Sequence, residues 1–427
     1  MADGARQIFL AATGQNRGKT TASLGLFAAF SERGLKTAFM KPVGQRWIML
    51  NGAPADEDAA LMREVFDLPD PTHLLSPVQI PRGFTRRVIE GEVEDDFSAR
   101  ILAAQREMAK GRDLILLEGT GHAGVGAVIG LSNADVAALL GAPVIIVSEG
   151  GIGRPIDEIV LNAALFEARG VNVAGAIVNK VNLEMEPQLP RLLEKGLARH
   201  KIPLLGVLPY RQILSNPTLA IIEDGLQGET IWPGRDMDAI IGRVSVAAMQ
   251  PQHVMARIGA DALVVVPGDR EDVLEALAQL WLSGEEHPNR PLGFVLSGGY
   301  RPSSRIIELL RKADLFTVLM EGDTYTVASK VHNLLVKTHP EDVRKIDEIK
   351  SLVASALDID RILRVGSRLA ALTLRRSLAP PFGEKTLINE SHTFNRHCDR
   401  DEPIPNDCVV GKRLKGLRIG EIKVLQR

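Results

Sequence analysis

Short apolar runs alternate with helical patterns along the first 240 residues of the chain. The runs are nearly continuous in Val, Ile, Leu and Ala, as expected of strands that are covered on both faces of a parallel sheet. They are QIFLAA, KTAFMKPV, RDLILLEG, APVIIVSEG, VAGAIVNKV and PLLGVLPY. The first helical segment between them, GKTTASLGLFAAFSERG, is closed by Gly34. This alternation predicts βαβ units and an α/β domain over residues 1–240.

A second block of the same kind begins near Ala260. The strands DALVVVPGD, LGFVLSGG and FTVLMEGD each precede a helical pattern, and the charged helix EDVRKIDEIKSLVASALDI follows them. We therefore predict a smaller α/β domain over residues 241–362, with residues 229–249 acting largely as a connection between the blocks. Residues 363–427 are polar and rich in Pro without clear periodicity, which predicts an irregular C-terminal arm.

The composition limits the class of protein. The chain has 427 residues, of which 45% are hydrophobic and 24% charged, as in a globular protein of two or three domains. A formal net charge of -2 gives no indication of nucleic acid or an acidic membrane surface as partner. No apolar run approaches the ~20 residues of a membrane helix, and two cysteines provide no disulfide framework. We expect a cytoplasmic protein that binds neither membrane nor nucleic acid.

The turn after the first strand, TGQNRGKTT, has the composition of a phosphate-binding loop. Gly14 and Gly18 let backbone N–H groups approach a phosphate chain at the N-terminus of the next helix, Lys19 would neutralise the outer phosphates, and Thr20 would hold Mg²⁺. Thr13 replaces the usual first glycine, so an accidental glycine-rich turn is the alternative, but the strand and helix around the loop favour nucleotide binding. The predicted contacts are Thr13, Gly14, Gln15, Asn16, Arg17, Gly18, Lys19, Thr20 and Thr21.

Two strand ends carry charged residues at the edge where open parallel sheets bind ligands. Lys41 ends the second strand and could reach a terminal phosphate or a substrate anion, the alternative being a solvated lysine. Glu118 ends the strand LILLEG, where a carboxylate can hold Mg²⁺ directly or through water, the alternative being a capping or surface residue. We predict Lys19 and Lys41 as the catalytic residues.

Several motifs together resemble the dethiobiotin synthetase-like P-loop proteins: ATGQNRGKTTASLGL, FMKPVGQ, EDAALMREVF, LLEGTGH and IVNKV. The nearest resemblance is to the amino-terminal regulatory region of long phosphate acetyltransferases and its stand-alone relatives. The second block, with VVVPGDREDV, FVLSGGYRP and MEGDTYTVASKV, resembles the DRTGG domain of those proteins. The resemblance covers residues 6–360. It implies a P-loop NTPase-type parallel sheet with flanking helices, followed by a smaller α/β, DRTGG-like domain.

The resemblance also implies roles for individual residues. Thr20, Asp58 and Glu118 would be the metal ligands, although nothing in the local sequence distinguishes Asp58 from the neighbouring acids. Asn179 in IVNKV would lie near the base of the nucleotide, and Lys41 would contact the transferred phosphoryl group or a substrate carboxylate. ATP and Mg²⁺ are the implied cofactors, and a homodimer is the implied assembly.

One departure concerns the phosphate-binding loop. Some related ATPases carry an additional lysine early in this loop, and Gly14 stands at about that place here. Arg17, or a lysine from elsewhere in the chain, would have to take the role of the additional lysine.

Two functions are compatible with the sequence. The first is an enzyme that uses ATP and Mg²⁺ to phosphorylate a carboxylate or carbamate of an unidentified small-molecule acid for attack by a nitrogen. The second is a non-catalytic nucleotide sensor that acts on a partner chain, because these two domains regulate a catalytic one in the larger relatives. The stretch after residue 362 is too short for an acetyltransferase domain of about 100 residues or more. The sequence does not distinguish ATP from GTP.

The C-terminal arm groups His392, His397, Cys398 and Cys408. These are potential zinc ligands, but their spacing matches no common paired-ligand pattern. Coincidence is therefore favoured over a zinc site, and the role of residues 363–427 stays open.

Overall fold

The computed structural model describes residues 5–50, 52–93, 95–283, 289–334 and 338–368. The strands of the first region are β1 (Arg6–Ala12), β2 (Thr37–Met40), β3 (Val43–Gly44), β4 (Trp47–Leu50), β5 (Ala53–Asp56), β6 (Val78–Gln79), β7 (Leu114–Glu118), β8 (Val144–Glu149), β9 (Val173–Val181) and β10 (Leu204–Pro209). Its helices are α1 (Lys19–Glu32), α2 (Glu57–Phe66), α3 (Thr72–Leu75), α4 (Phe84–Ile89), α5 (Phe97–Met108), α6 (Asn133–Leu140), α7 (Gly153–Ala168), α8 (Leu189–Ala198) and α9 (Gln212–Ser215). The next helix, α10 (Leu219–Leu226), packs in the core of the region that follows.

The main sheet of this region is parallel throughout, in the strand order β10-β9-β8-β1-β7-β2. These are the six strands that the apolar runs predict. Helix α1 packs on β1, β2 and β7, and α7 packs on β8 and β9. The central strands are buried on both faces, which is why their sequences are apolar without alternation. The structure confirms the predicted P-loop-type sheet, and all its strands end at one edge.

A smaller sheet follows, in the order β11-β15-β14-β13-β12. Its strands are β11 (Glu229–Trp232), β12 (Arg243–Val246), β13 (Ala262–Pro267), β14 (Pro291–Ser297) and β15 (Phe316–Leu319), and its helices are α11 (Pro251–Met255), α12 (Glu271–Leu282), α13 (Ser304–Lys312) and α14 (Thr324–His332). Strand β11 is antiparallel to β15, and the other pairs are parallel. The smaller α/β domain is thus confirmed as a fold.

Residues 229–249 differ from the predicted connection, because they supply both edge strands of the smaller sheet. The second sheet therefore begins upstream of the predicted boundary at residue 241. Each edge strand has four residues, and Pro233 and Gly234 follow the first of them. Such short strands give too few apolar positions for a recognisable alternation.

The charged helix that was assigned to the second domain packs on the first. Helices α15 (Val343–Ala356) and α16 (Ile359–Arg368) contact α1 and the first sheet. The buried apolar side chains of α15 belong to the core of the first domain; they are Ile346, Ile349, Leu352 and Val353. Their helical spacing predicts a buried stripe, but a stripe does not specify which sheet it covers.

Helices α1 and α15 touch at Gly25, where a Cβ atom would lie 2.4 Å from Cβ of Val353. We expect Gly25→Ala to lower the free energy of unfolding by about 1–3 kcal/mol through overpacking, although alanine favours a helix. Gly153→Ala is the control, since a Cβ there meets nothing within 4 Å. Urea unfolding measures both. Equal stabilities would contradict the close contact, whereas partial recovery in Gly25→Ala/Val353→Ala would support it.

Most of the C-terminal arm, including His392, His397, Cys398 and Cys408, lies outside the described residues. Among the helices that are described, none combines the length and apolar character required to span a membrane.

Candidate functional site

A cavity of about 750 Å³ opens where the strands of the first sheet end. Its walls come from the loop after β1, from the ends of β2, β7, β9 and β10, from α2 with the segment before it, from α9, and from residues 332–334 and 338–341. The loop residues that line it are Gln15, Asn16, Gly18, Lys19, Thr20 and Thr21. Of the predicted loop contacts, Thr13, Gly14 and Arg17 are not among the lining residues.

Gly18 fixes the conformation of the loop at the start of α1. It has φ +91°, in the left-handed region, and a Cβ atom there would lie 1.9 Å from Nδ2 of Asn179. The Asn179 amide in turn donates a hydrogen bond to the carbonyl oxygen of Arg17 at 3.2 Å. Asn179, implied to lie near the base, therefore also holds the loop itself. Helix α1 begins at Lys19, so its unpaired backbone N–H groups face the cavity.

The Arg17 guanidinium pairs with two glutamates and does not line the cavity. It forms an ion pair with Glu149, and its Nη2 lies 3.5 Å from Oε1 of Glu158. Lys180 lines the cavity instead, with Nζ 2.9 Å from Oε1 of Glu149 and 3.2 Å from the carbonyl oxygen of Asn16. The sequence left Arg17 or a lysine from elsewhere as candidates for the role of the additional lysine. Of these, Lys180 is the one that lies beside the loop at the cavity. Its only signal in the sequence is the position directly after Asn179.

A buried charged cluster forms the floor of the cavity. The Lys41 ammonium contacts the Asp58 carboxylate, and its Nζ lies 3.3 Å from both Oδ1 of Asp56 and Oε1 of Glu118. Lys41 is 4% exposed and Glu118 is fully buried, so neither is the solvated or surface residue of the alternative interpretations. Burial of the lysine and the carboxyl groups favours their neutral forms. The short distances between the ammonium and the carboxylates offset the free-energy cost of keeping them charged.

Helix α1 supplies hydroxyl groups to the same cluster. Thr20 Oγ1 donates to Oδ1 of Asp58 at 3.1 Å and lies 3.4 Å from Oε1 of Glu118, and Ser23 Oγ donates to Oε2 of Glu118 at 2.5 Å. Asp56 caps α2 by accepting a hydrogen bond from the Asp58 backbone N–H at 3.0 Å. Sequence reasoning missed Ser23 and Asp56. Ser23 lies three residues after Thr20 on the same face of α1, and Asp56 occupies the N-cap position of α2. These positions are the signals in the sequence that could have found them.

The environment shifts the pKa values of the cluster in different directions. Burial lowers the pKa of Lys19 to about 8, against a smaller opposing effect of Glu118. Burial also disfavours charge on Lys41, but Asp58 and Glu118 outweigh it and raise its pKa well above the usual range. Burial raises the pKa of Glu118. For Asp58 the effect of burial is outweighed by Lys41, which lowers the pKa to about 2.

The residues fit a hard divalent cation. Thr20, Asp58 and Glu118 present converging oxygen atoms, the donors that Mg²⁺ prefers. Within the described part of the chain, no group of three or more His, Cys, Asp or Glu side chains could hold a metal ion by itself. A metal here would therefore depend on the threonine and on oxygen atoms from outside the protein, such as phosphate and water.

Comparison with known families matches the two regions of the fold separately. An AAA domain matches residues 6–218, and a DRTGG domain matches residues 222–334. The phosphate acetyltransferase of Deinococcus radiodurans is 27% identical over an alignment of 431 residues, which covers 96% of this chain and 59% of the relative. The enzyme of Pseudomonas putida is 28% identical over 372 residues, with 82% and 50% covered. This chain is a homologue of the amino-terminal region of phosphate acetyltransferases.

The homologue spans only about half the length of the curated relatives that it matches. Its AAA domain contains the loop and charged cluster, and is a P-loop nucleotide-binding domain. The DRTGG domain begins close to α10, in keeping with the early start of the second sheet. Among solved structures, the septum site-determining protein MinD of Pyrococcus horikoshii, complexed with Mg-ADP, is 16% identical, with a TM-score of 0.31 over 49% of this chain and 83% of MinD.

Nucleotide affinity of the AAA domain should depend on pH through Lys19. Because burial lowers its pKa to about 8, the Lys19 ammonium loses its proton as the pH rises above 8. Bound phosphates favour the charged form, so binding then takes up a proton and the affinity falls by up to about tenfold per pH unit. Lys41 stays charged over this range because its pKa is raised. Calorimetric titration with ATP and Mg²⁺ from pH 6.5 to 9.5 measures the dependence, and a flat profile would contradict it.

Proposed function

We propose that the chain is an ATP- and Mg²⁺-dependent enzyme that phosphorylates a carboxylate or carbamate of a small acid, so that a nitrogen can attack it. The observation that supports this most is the convergence on one cavity of Lys19, Thr20, Lys41, Asp58 and Glu118. A site that only held a nucleotide would need the loop and its lysine. The additional lysine and two carboxylates suit a site where phosphoryl charge moves.

Phosphoryl transfer requires positioning and charge neutralisation more than covalent chemistry from the protein. Lys19, at the start of α1, would hold the outer phosphates. Lys41, at the end of β2, would hold the acceptor carboxylate or the transferred group. When bound to Thr20, Asp58 and Glu118, Mg²⁺ supplies further positive charge at the phosphates. The burial of Lys41 and Glu118 strengthens these interactions because water is largely excluded around them.

The proposed step is a substitution at phosphorus. An oxygen of the acceptor carboxylate attacks the terminal phosphorus of ATP, the bond from that phosphorus to the bridging oxygen breaks, and ADP leaves with the electron pair. The product is an acyl phosphate, or its carbamate equivalent. A nitrogen nucleophile then attacks the activated carbonyl carbon, loses a proton, and displaces inorganic phosphate.

Release of ADP tests this proposal directly. The purified full chain is incubated with ATP and Mg²⁺, alone and with small carboxylic acids and amines, and ADP is measured with time. An acid that stimulates ADP release in the native protein but not in Lys19→Met supports the enzyme. Binding of ATP without ADP release above the Lys19→Met background, in all mixtures, would overturn it.

One observation favours a second candidate, a non-catalytic nucleotide sensor that acts on a partner chain. Residues 332–334, at the end of the DRTGG domain, line the same cavity as the phosphate-binding loop. Binding of a nucleotide in this cavity would therefore change the contacts of the DRTGG domain without hydrolysis of the nucleotide. The sensor is the conclusion to draw if ATP binds and no mixture gives turnover.

Location and assembly belong to the same proposal. We take the enzyme to be a cytoplasmic homodimer. The low cysteine count of two suits a reducing compartment, and sedimentation with and without ATP would measure the assembly.

A further inference from the structure

Two short segments between the DRTGG domain and α15 line the phosphate-binding cavity. His332, Asn333 and Leu334 end the DRTGG domain, and residues 338–341 lead into α15. Both groups line the cavity of about 750 Å³ together with the loop and charged cluster. We call residues 332–334 and 338–341 the crossing segments. The cavity is thus enclosed by two domains.

Both crossing segments are attached to well-packed elements. On the DRTGG side, Lys330 Nζ donates to the carbonyl oxygen of Leu226 at 2.5 Å, and Leu334 packs close to Gly225. On the other side, the His339 backbone N–H donates to Oδ2 of Asp342 at 2.8 Å, at the start of α15. Helix α15 is itself packed on α1, which begins at the phosphate-binding loop. The crossing segments and α15 therefore link the DRTGG domain to the phosphate-binding loop.

The strand order indicates which part of a nucleotide the crossing segments face. Strands β7 and β2, which carry Glu118 and Lys41, lie on one side of β1, and β8, β9 and β10 lie on the other. If the phosphates of a nucleotide lie at the loop, with the charged cluster on the β2 side, we expect its nucleoside to extend toward β9 and β10 at the same edge of the sheet. Helix α15 is joined to that side, since Arg211 Nε lies 3.0 Å from Oε1 of Glu348 and the Asp358 N–H donates to the Leu205 carbonyl oxygen at 3.1 Å.

We propose that the crossing segments form the nucleoside wall of the nucleotide site, with His332 and His339 contacting the base or ribose of bound ATP. This inference depends on the proposed binding of ATP at the loop. Both histidines are exposed at the cavity, and an imidazole ring can stack on a base or hydrogen-bond to ribose hydroxyls. A nucleotide held this way stabilises the arrangement in which both domains line the cavity, because it contacts both.

The test separates nucleoside contacts from phosphate contacts. Calorimetric titrations of the full chain use ATP and inorganic tripolyphosphate, each with Mg²⁺, on the native protein and on His332→Ala/His339→Ala. The control is His253→Ala, an exposed histidine of α11 that does not line the cavity. We expect the double variant to bind ATP about tenfold more weakly and tripolyphosphate within about twofold of the native value, and the control to match the native protein for both. Melting temperatures verify that the variants are folded.

The other outcomes have distinct meanings. Native ATP affinity in the double variant would overturn this inference and leave the proposed function intact. Equal weakening of ATP and tripolyphosphate would also overturn it, because the histidines would then act on phosphates and not on the nucleoside. If the native protein bound neither ligand, the proposed function would fail first, and this inference with it.

Discussion

Replacement of Lys19 by methionine is expected to weaken the binding of ATP by about 100-fold or more while leaving the empty protein at least as stable as the native one. The loss of affinity follows from the removal of charge-assisted hydrogen bonds to phosphate, worth up to about 3 kcal/mol, at the N-terminus of α1. Methionine keeps most of the apolar stem of the side chain. Calorimetry with ATP and Mg²⁺ measures the affinity.

The stability result has the opposite sign to the usual effect of a substitution at a buried site. Burial lowers the pKa of Lys19 from 10.5 to about 8, so the unfolded chain binds this proton more strongly than the folded one. At neutral pH this difference opposes folding by about 3 kcal/mol, and native stability rises as the pH increases from 8 to 10.5. Lys19→Met should remove both effects. A variant that is clearly less stable than the native protein would contradict this account, since its loss of binding would then reflect unfolding.

Replacement of Lys41 by methionine is expected to lower the free energy of unfolding by about 3–5 kcal/mol at neutral pH. The substitution leaves Asp56, Asp58 and Glu118 close together in a buried cluster without their ammonium group. Urea unfolding measures the loss. Lys36→Met is the matched control, because Lys36 is exposed just before β2 and its replacement should change stability by no more than about 0.5 kcal/mol.

The pH dependence of the Lys41 variant follows from the same cluster. In the native protein the pKa of Lys41 is raised, so its stabilising effect is fully present at neutral pH and is lost only above its usual range. The lowered pKa of Asp58, about 2, contributes stability above 3.8 that is lost as the pH falls toward 2. In Lys41→Met the carboxyl groups take up protons more readily, so the difference from the native protein should shrink as the pH falls from 7 to 5.

Addition of Mg²⁺ gives an independent measurement on the same variant. A divalent cation can replace part of the missing positive charge at Asp58 and Glu118. The melting temperature of Lys41→Met should therefore rise more with Mg²⁺ than that of the native protein. An equal response in both proteins, together with native stability of the variant, would show that the lysine does not neutralise this cluster.

The first sheet and its loop could be predicted from the sequence alone. Six continuous apolar runs became the six strands of the first sheet, because burial on both faces leaves an unbroken apolar signal. Lys19 and Thr20 could be predicted as phosphate and metal contacts because a phosphate-binding turn is a local structure, specified by neighbouring residues, and both line the cavity. Lys41 and Glu118 were placed by the rule that parallel strands end at one edge. Asp58 and Asn179 came from the family resemblance, since neither has a distinctive local pattern.

The contacts between distant segments could be seen only in the folded chain. The apolar stripe of α15 could have covered either sheet; in the structure it packs on α1, where Val353 lies against Gly25. Arg17, a predicted ligand contact, pairs with Glu149 and Glu158 and does not line the cavity, whereas Lys180, which also pairs with Glu149, does line it. The histidines of the crossing segments lie more than 300 positions after the loop in the chain. No local pattern specifies such a meeting, because it depends on packing between whole elements.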